Sequence, residues 1–114
     1  MTKEIDKRIT LGWKKYWSLK EVMKNNDFSM SLKRRVFESC VLPSITYGCE
    51  TWVLTKAHIQ KLQVCQRAME RSMLGIKIKD KIRNTIIRER TEVIDIIDKI
   101  CRQKWRWAEH MARD

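Results

Sequence analysis

Gln60, Gln63, Arg67 and Arg71 recur at steps of three and four, which places all four side chains on one face of an α-helix. Amide groups and guanidinium forks in such a row match phosphate oxygens and sugar hydroxyls. Contacts of that kind hold a nucleic acid backbone in position without reading its sequence. Further cations come in clusters: Lys14 with Lys15, the triplet Lys33-Arg34-Arg35, and a stretch from Lys77 to Arg83 that includes Lys81. Neighbouring clusters lie about one helix length apart or less, so a bundle could gather several of them on one side.

The residues that would do covalent chemistry are not arranged for it. Phosphoryl transfer needs carboxylates converging on metal ions, and here the acidic residues are scattered among basic ones on outward helix faces. Gly12, Gly48 and Gly75 stand alone and form no phosphate-cradling loop. Cys40, Cys49, Cys65 and Cys101, with only His58 and His110 beside them, show no C-x2-C or H-x3-H spacing, and no cysteine sits in a strained or electropositive turn. The expectation is a chain with no catalytic residues, no metal site, no cofactor and no small-molecule substrate.

The charge balance points the same way. Twenty-five Lys and Arg against 14 Asp and Glu give a formal net charge of +11, more than a small domain needs for solubility. Nucleic acid, an anionic membrane surface and a merely basic soluble surface would each accommodate that charge; the joint presence of several clusters favours nucleic acid. Hydrophobic content of 43% with five Trp argues against disorder. No apolar run approaches the ~20 residues that span a bilayer. Met1-Thr2-Lys3-Glu4 does not open a signal peptide, and the unpaired cysteine spacing suits reduced thiols. An intracellular protein, nuclear or cytoplasmic and not secreted, is expected.

Three Gly and one Pro leave few turns, which favours helices over a many-stranded sheet. The 114 residues suit one domain, an all-α bundle of five or six helices. Ile5, Ile9, Trp13, Tyr16, Leu19 and Met23 mark the buried face of a first helix over 3–24, stopped by Asn25-Asn26-Asp27. Gly12 falls on that face, either admitting a close neighbour or simply tolerated. Ser29 or Ser31 caps a second helix with Leu32, Val36 and Cys40 inside and Lys33, Arg34 and Arg35 outside; Pro43 should kink or break it. Thr55 caps a third, which Gly75 ends. A short helix capped by Asp80 carries Ile82, Ile86 and Ile87, with Lys81, Arg83 and Arg88 exposed. The last, about 93–113, turns Val93, Ile96, Ile97, Ile100, Trp107, Ala108 and Met111 inward, with a mixed-sign back of Asp95, Asp98, Arg102, Arg106 and Glu109. Lys104 lies in the middle of that apolar stripe, where it either snorkels to solvent or reaches a carboxylate or phosphate at a boundary; it joins the candidate binding set.

The order of these pieces resembles the C-terminal thumb region of non-LTR retrotransposon polyproteins, notably RTE-like endonuclease/reverse transcriptases. The resemblance covers almost the whole chain. It begins with Glu4-Ile5, Arg8-Ile9 and Gly12-Trp13 and continues through Leu32-Lys33, Arg35-Val36-Phe37 and Val41-Leu42-Pro43. Tyr47-Gly48, Glu50-Thr51-Trp52 and the run from Gln66 to Arg71 follow, then Leu74-Gly75, Asp80, Ile82-Arg83-Asn84, Arg88 and Arg90-Thr91. It ends in Lys104-Trp105, Trp107-Ala108 and His110. Singly these are weak words; in this order they are specific.

The resemblance implies a helical thumb that clasps the template-primer duplex, RNA/DNA or DNA, during target-primed reverse transcription. Mg2+ chemistry would belong to a palm that, with the fingers and endonuclease, is absent from this sequence. The alternative is a protein-interaction bundle whose apolar surface packs on that palm.

Overall fold

The computed structural model describes residues 2–77 and 80–113, with Arg113 described by its backbone alone. Among these residues the architecture is all-α, with no strand. The first helical rod is α1 (Thr2–Ser18) followed after Leu19 by the single turn α2 (Lys20–Met23). It stops where Asn25 Oδ1 accepts the Asp27 amide at 2.9 Å, an Asx turn that competes with the helical ladder.

Ser29 opens the second rod, its hydroxyl accepting the Leu32 amide at 3.2 Å. This rod runs from α3 (Met30–Val36) through a π-helical turn (Phe37–Val41) into α4 (Leu42–Thr46). Pro43 has no amide to donate and its ring would press on the carbonyl four residues back. The ladder is interrupted one turn earlier by the wider π turn, in which the Leu42 amide reaches the Phe37 carbonyl. The inward row is Lys33, Phe37 and Val41, all buried, while Leu32 faces solvent. That reverses the expected sides of Leu32 and Lys33, because Phe37 and Val41 carry the bulk that the core takes up.

Gly12 is where the first two rods touch. A Cβ built on it would lie 2.4 Å from Ile45 Cγ1, so the missing side chain permits the crossing of α1 over α4.

The third rod is α5 (Lys56–Leu74). Thr55 Oγ1 accepts the His58 amide at 3.3 Å and His58 Nδ1 accepts the Thr55 amide at 3.2 Å, a capping box with histidine in the usual glutamate place. The proton is therefore on Nε2, which lies 3.2 Å from Thr2 Oγ1 at the start of α1. At the far end Gly75 adopts φ +70° and the Ile76 amide reaches back to the Arg71 carbonyl at 2.9 Å.

The fourth rod, α6 (Asn84–Thr91), starts with Arg83 at its N-cap, while Asp80 accepts the Lys77 amide at 2.9 Å instead of capping it. Part of the expected basic connector, Ile78-Lys79, lies outside the described residues. The last rod is α7 (Ile96–Arg113). Val93, Ile96 and Ile100 join Ile5, Tyr16, Phe37, Leu42, Ile45, Leu62 and Met69 in one core cluster. Trp107, Ala108 and Met111, expected inside, are exposed because the C-terminal half of α7 outruns the other rods, in a body of 48 × 27 × 24 Å. No helix among the described residues is long and apolar enough to cross a membrane.

Candidate functional site

Gln60, Gln63, Arg67 and Arg71 do share one space. Together with Val64 and with Asn84 at the start of α6, they line an open groove of about 510 Å3. The capped α5 rod sets their common azimuth, and α6 closes the side of the groove: Arg71 Nη2 donates to Asn84 Oδ1 at 2.5 Å. Arg83, one residue before Asn84, is exposed, as is Lys81, whose backbone takes φ +52°.

Through Arg67 the groove is tied to an ion-pair network. Glu70 is fully buried. Its carboxylate accepts from Arg67 Nη1 at 2.6 Å, from Arg88 Nη1 at 2.9 Å and from the Thr91 hydroxyl. The second arm of Arg67 donates to Asp95 at 2.8 Å. Burial alone would push the Asp95 carboxyl up, but the Ile97 amide and the Arg67 and Arg88 guanidinium groups together hold it below the usual carboxylate range. Arg67 thus faces the groove with its charge compensated by two carboxylates, whereas Arg71 meets, among the described residues, only a neutral amide oxygen.

Gln66 lies beneath them, wholly buried. Its Nε2 donates to the Ile94 carbonyl at 2.9 Å and its Oε1 accepts the Ile96 amide at 2.7 Å. Asp95 accepts the Ile97 amide at 2.9 Å, so the two side chains satisfy the first free amides of α7. Glu70 and Gln66 entered the sequence reading only as part of the run from Gln66 to Arg71. Their spacing on the inner side of α5 marks them as buried polar residues in need of partners, but the partners lie far along the chain.

The remaining candidates are dispersed. Lys33 is buried and its ammonium lies 3.4 Å from the Met73 carbonyl, at the negative end of α5; burial lowers its pKa. Arg34 pairs with Glu92 at 2.7 Å, and Arg35 shares with it a separate recess bordered by Glu38. Lys14 is exposed on α1. Lys104 takes neither course open to it from sequence: its ammonium donates to the backbone carbonyl of Trp52.

A second cationic surface was hidden by the mixed signs of α7. Lys99, Arg102, Gln103 and Arg106 line two adjoining recesses, the larger of about 530 Å3 and bordered also by Pro43, Tyr47 and Glu50. Asp95, which the sequence sets on the same back, is drawn off to Arg67. Among the described residues no three His, Cys, Asp or Glu side chains gather as metal ligands would.

No family model matches the chain, and no solved structure matches it significantly. In an alignment of 104 positions that covers 85% of the chain, it is 30% identical to a protein of Caenorhabditis elegans described as an "uncharacterized transposon-derived protein". The chain spans only 37% of that relative.

Proposed function

We propose that this chain is a transposon-derived, non-catalytic nucleic-acid-binding fragment, corresponding to the helical thumb of a non-LTR, RTE-like reverse transcriptase. In the parent polymerase it grips the backbone of the template-primer duplex, and Mg2+ chemistry belongs to a palm elsewhere in that protein. The observation that carries the reading is the groove in which Gln60, Gln63 and Arg71 face one open space beside Arg83. The similarity to a transposon-derived protein supports the origin, and a net charge of +11 supports a polyanionic ligand.

Titration of a labelled RNA/DNA hybrid at two ionic strengths, beside anionic vesicles, tests it. Tight, salt-sensitive binding to the hybrid alone is expected. Charge reversal at Arg71 and Arg83 should weaken binding and flatten the salt dependence by about one unit per lost phosphate contact. Unchanged affinity and slope in a folded double variant would reject the groove.

A second reading has its own support. Trp107 and Met111 are exposed on one face of the projecting half of α7, and such a surface fits a bundle that packs on the rest of a longer parent protein, such as a polymerase palm. Concentration-dependent self-association of the isolated chain, abolished by Trp107→Lys, would favour it; a clean monomer would count against it.

A further inference from the structure

We propose that the shelf around Tyr47 binds a single-stranded nucleic acid segment, with an unpaired base stacked on the tyrosine ring. This rests on the nucleic-acid reading and adds to it a second site, distinct from the α5–α6 groove. Tyr47 follows the last residue of α4 and is 74% exposed, and Gly48 turns the chain away at φ +74°. A large aromatic ring held this far out of the core contributes little to folding. The guanidinium of Arg8 lies 5.3 Å from the ring centroid, which fixes the ring's orientation and makes its surroundings cationic.

Tyr47 and Pro43 belong to two recesses, one continued by Arg8 and Ser44, the other by Lys99, Gln103 and Arg106. The combination of a base-sized aromatic face with cations on either side is the arrangement that holds single strands: stacking takes the base and the cations track the phosphates. A duplex, whose bases are already stacked on each other, has no use for the ring. Glu38 and Glu50 line the recesses against Arg8, Lys99, Arg102 and Arg106, so the linings hold two more cations than carboxylates, while α7 also carries Asp98 and Glu109 outside them.

The test uses the full chain and two labelled probes, unstructured oligo(U) and an RNA/DNA hybrid. Tyr47→Ala should lower affinity for oligo(U) at least about fivefold, the lower bound for losing one stacked base, and leave the hybrid unchanged. Tyr47→Phe, which keeps the ring, should bind as the parent does, and Arg106→Glu should weaken oligo(U) binding and its salt dependence. Equal oligo(U) binding by parent and Tyr47→Ala, a Phe variant as weak as Ala, or equal losses on both probes would overturn the shelf. If the parent binds the hybrid but not oligo(U), the shelf alone is refuted; if it binds neither, the nucleic-acid reading falls and takes the shelf with it.

Discussion

Arg67 and Asp95, 28 residues apart in the chain, meet with 2.8 Å between Nη2 and Oδ2, and the other arm of the same guanidinium holds the buried Glu70. One side chain thereby joins α5, the fully desolvated carboxylate on α5 and the residue that caps α7. Its charge is part of the fold's internal electrostatics before any ligand arrives.

Arg67→Glu should therefore destabilise the chain by on the order of 3 kcal/mol, because it sets a third carboxylate beside Asp95 and the buried Glu70, which is left with only Arg88 and Thr91 among the described residues. Arg71→Glu, whose parent side chain hydrogen-bonds Asn84 and no carboxylate among the described residues, should stay within roughly 0.5 kcal/mol of the parent. Urea unfolding of the two variants measures the contrast. Similar losses in both would show that the Glu70 network is not what the charge reversal disturbs.

Gly12→Ala ought to destabilise in spite of the roughly 1 kcal/mol that alanine gains over glycine in a helix. The added methyl would lie 2.4 Å from Ile45 Cγ1, and Ile45 is fully buried with nowhere to move. A net loss of about 1–3 kcal/mol is expected. In a double-mutant cycle with Ile45→Ala, which removes the obstructing atoms, the Gly12→Ala penalty should largely vanish; strict additivity would refute the close approach.

Acid should weaken the fold through Asp95. Its folded pKa is depressed, so the stability it contributes is fully present above the ordinary aspartate value of 3.8 and is lost as pH falls through the folded one. Thermal unfolding followed down from neutral pH should show Tm dropping below about pH 4, with a shallower drop in Asp95→Asn. Parallel curves for the two proteins would remove Asp95 from the acid transition.

The four thiols should divide by reactivity. Burial pushes Cys65 up to about 12, and burial with the neighbouring Glu50 charge pushes Cys49 up to about 11, so neither supplies thiolate near neutral pH. Cys101 is exposed and Cys40 half-buried. Iodoacetamide on the native chain, followed by mass spectrometry, should label Cys101 first and reach Cys49 and Cys65 only after denaturant is added. Early labelling of Cys65 would contradict its place in the core.

What could be read beforehand was local. Thr55 and Gly75 bound α5 because a cap hydroxyl and a left-handed glycine act within a few residues of themselves, and the row from Gln60 to Arg71 follows from helical pitch once those ends are set. What could not be read depends on distant partners. Lys33 faces inward because Phe37 and Val41 turn the helix that way and a carbonyl at Met73 awaits it. Trp107 and Met111 sit on the apolar side of α7 as their spacing says, yet the other rods stop short of them. The cations of α7 were obscured by Asp95, whose charge is assigned to Arg67 only once the chain has folded.

The two polar side chains under the α5 groove have a bearing on how such a sequence can be inherited. Gln66 and Glu70 complete their bonding with residues beyond position 83, apart from the Arg67 contact. A gene rearrangement that severed the chain after Gly75 would remove those partners and bare the inner face of α5, amide and carboxylate included, to water, so the two halves of the stretch depend on each other for their polar pairing.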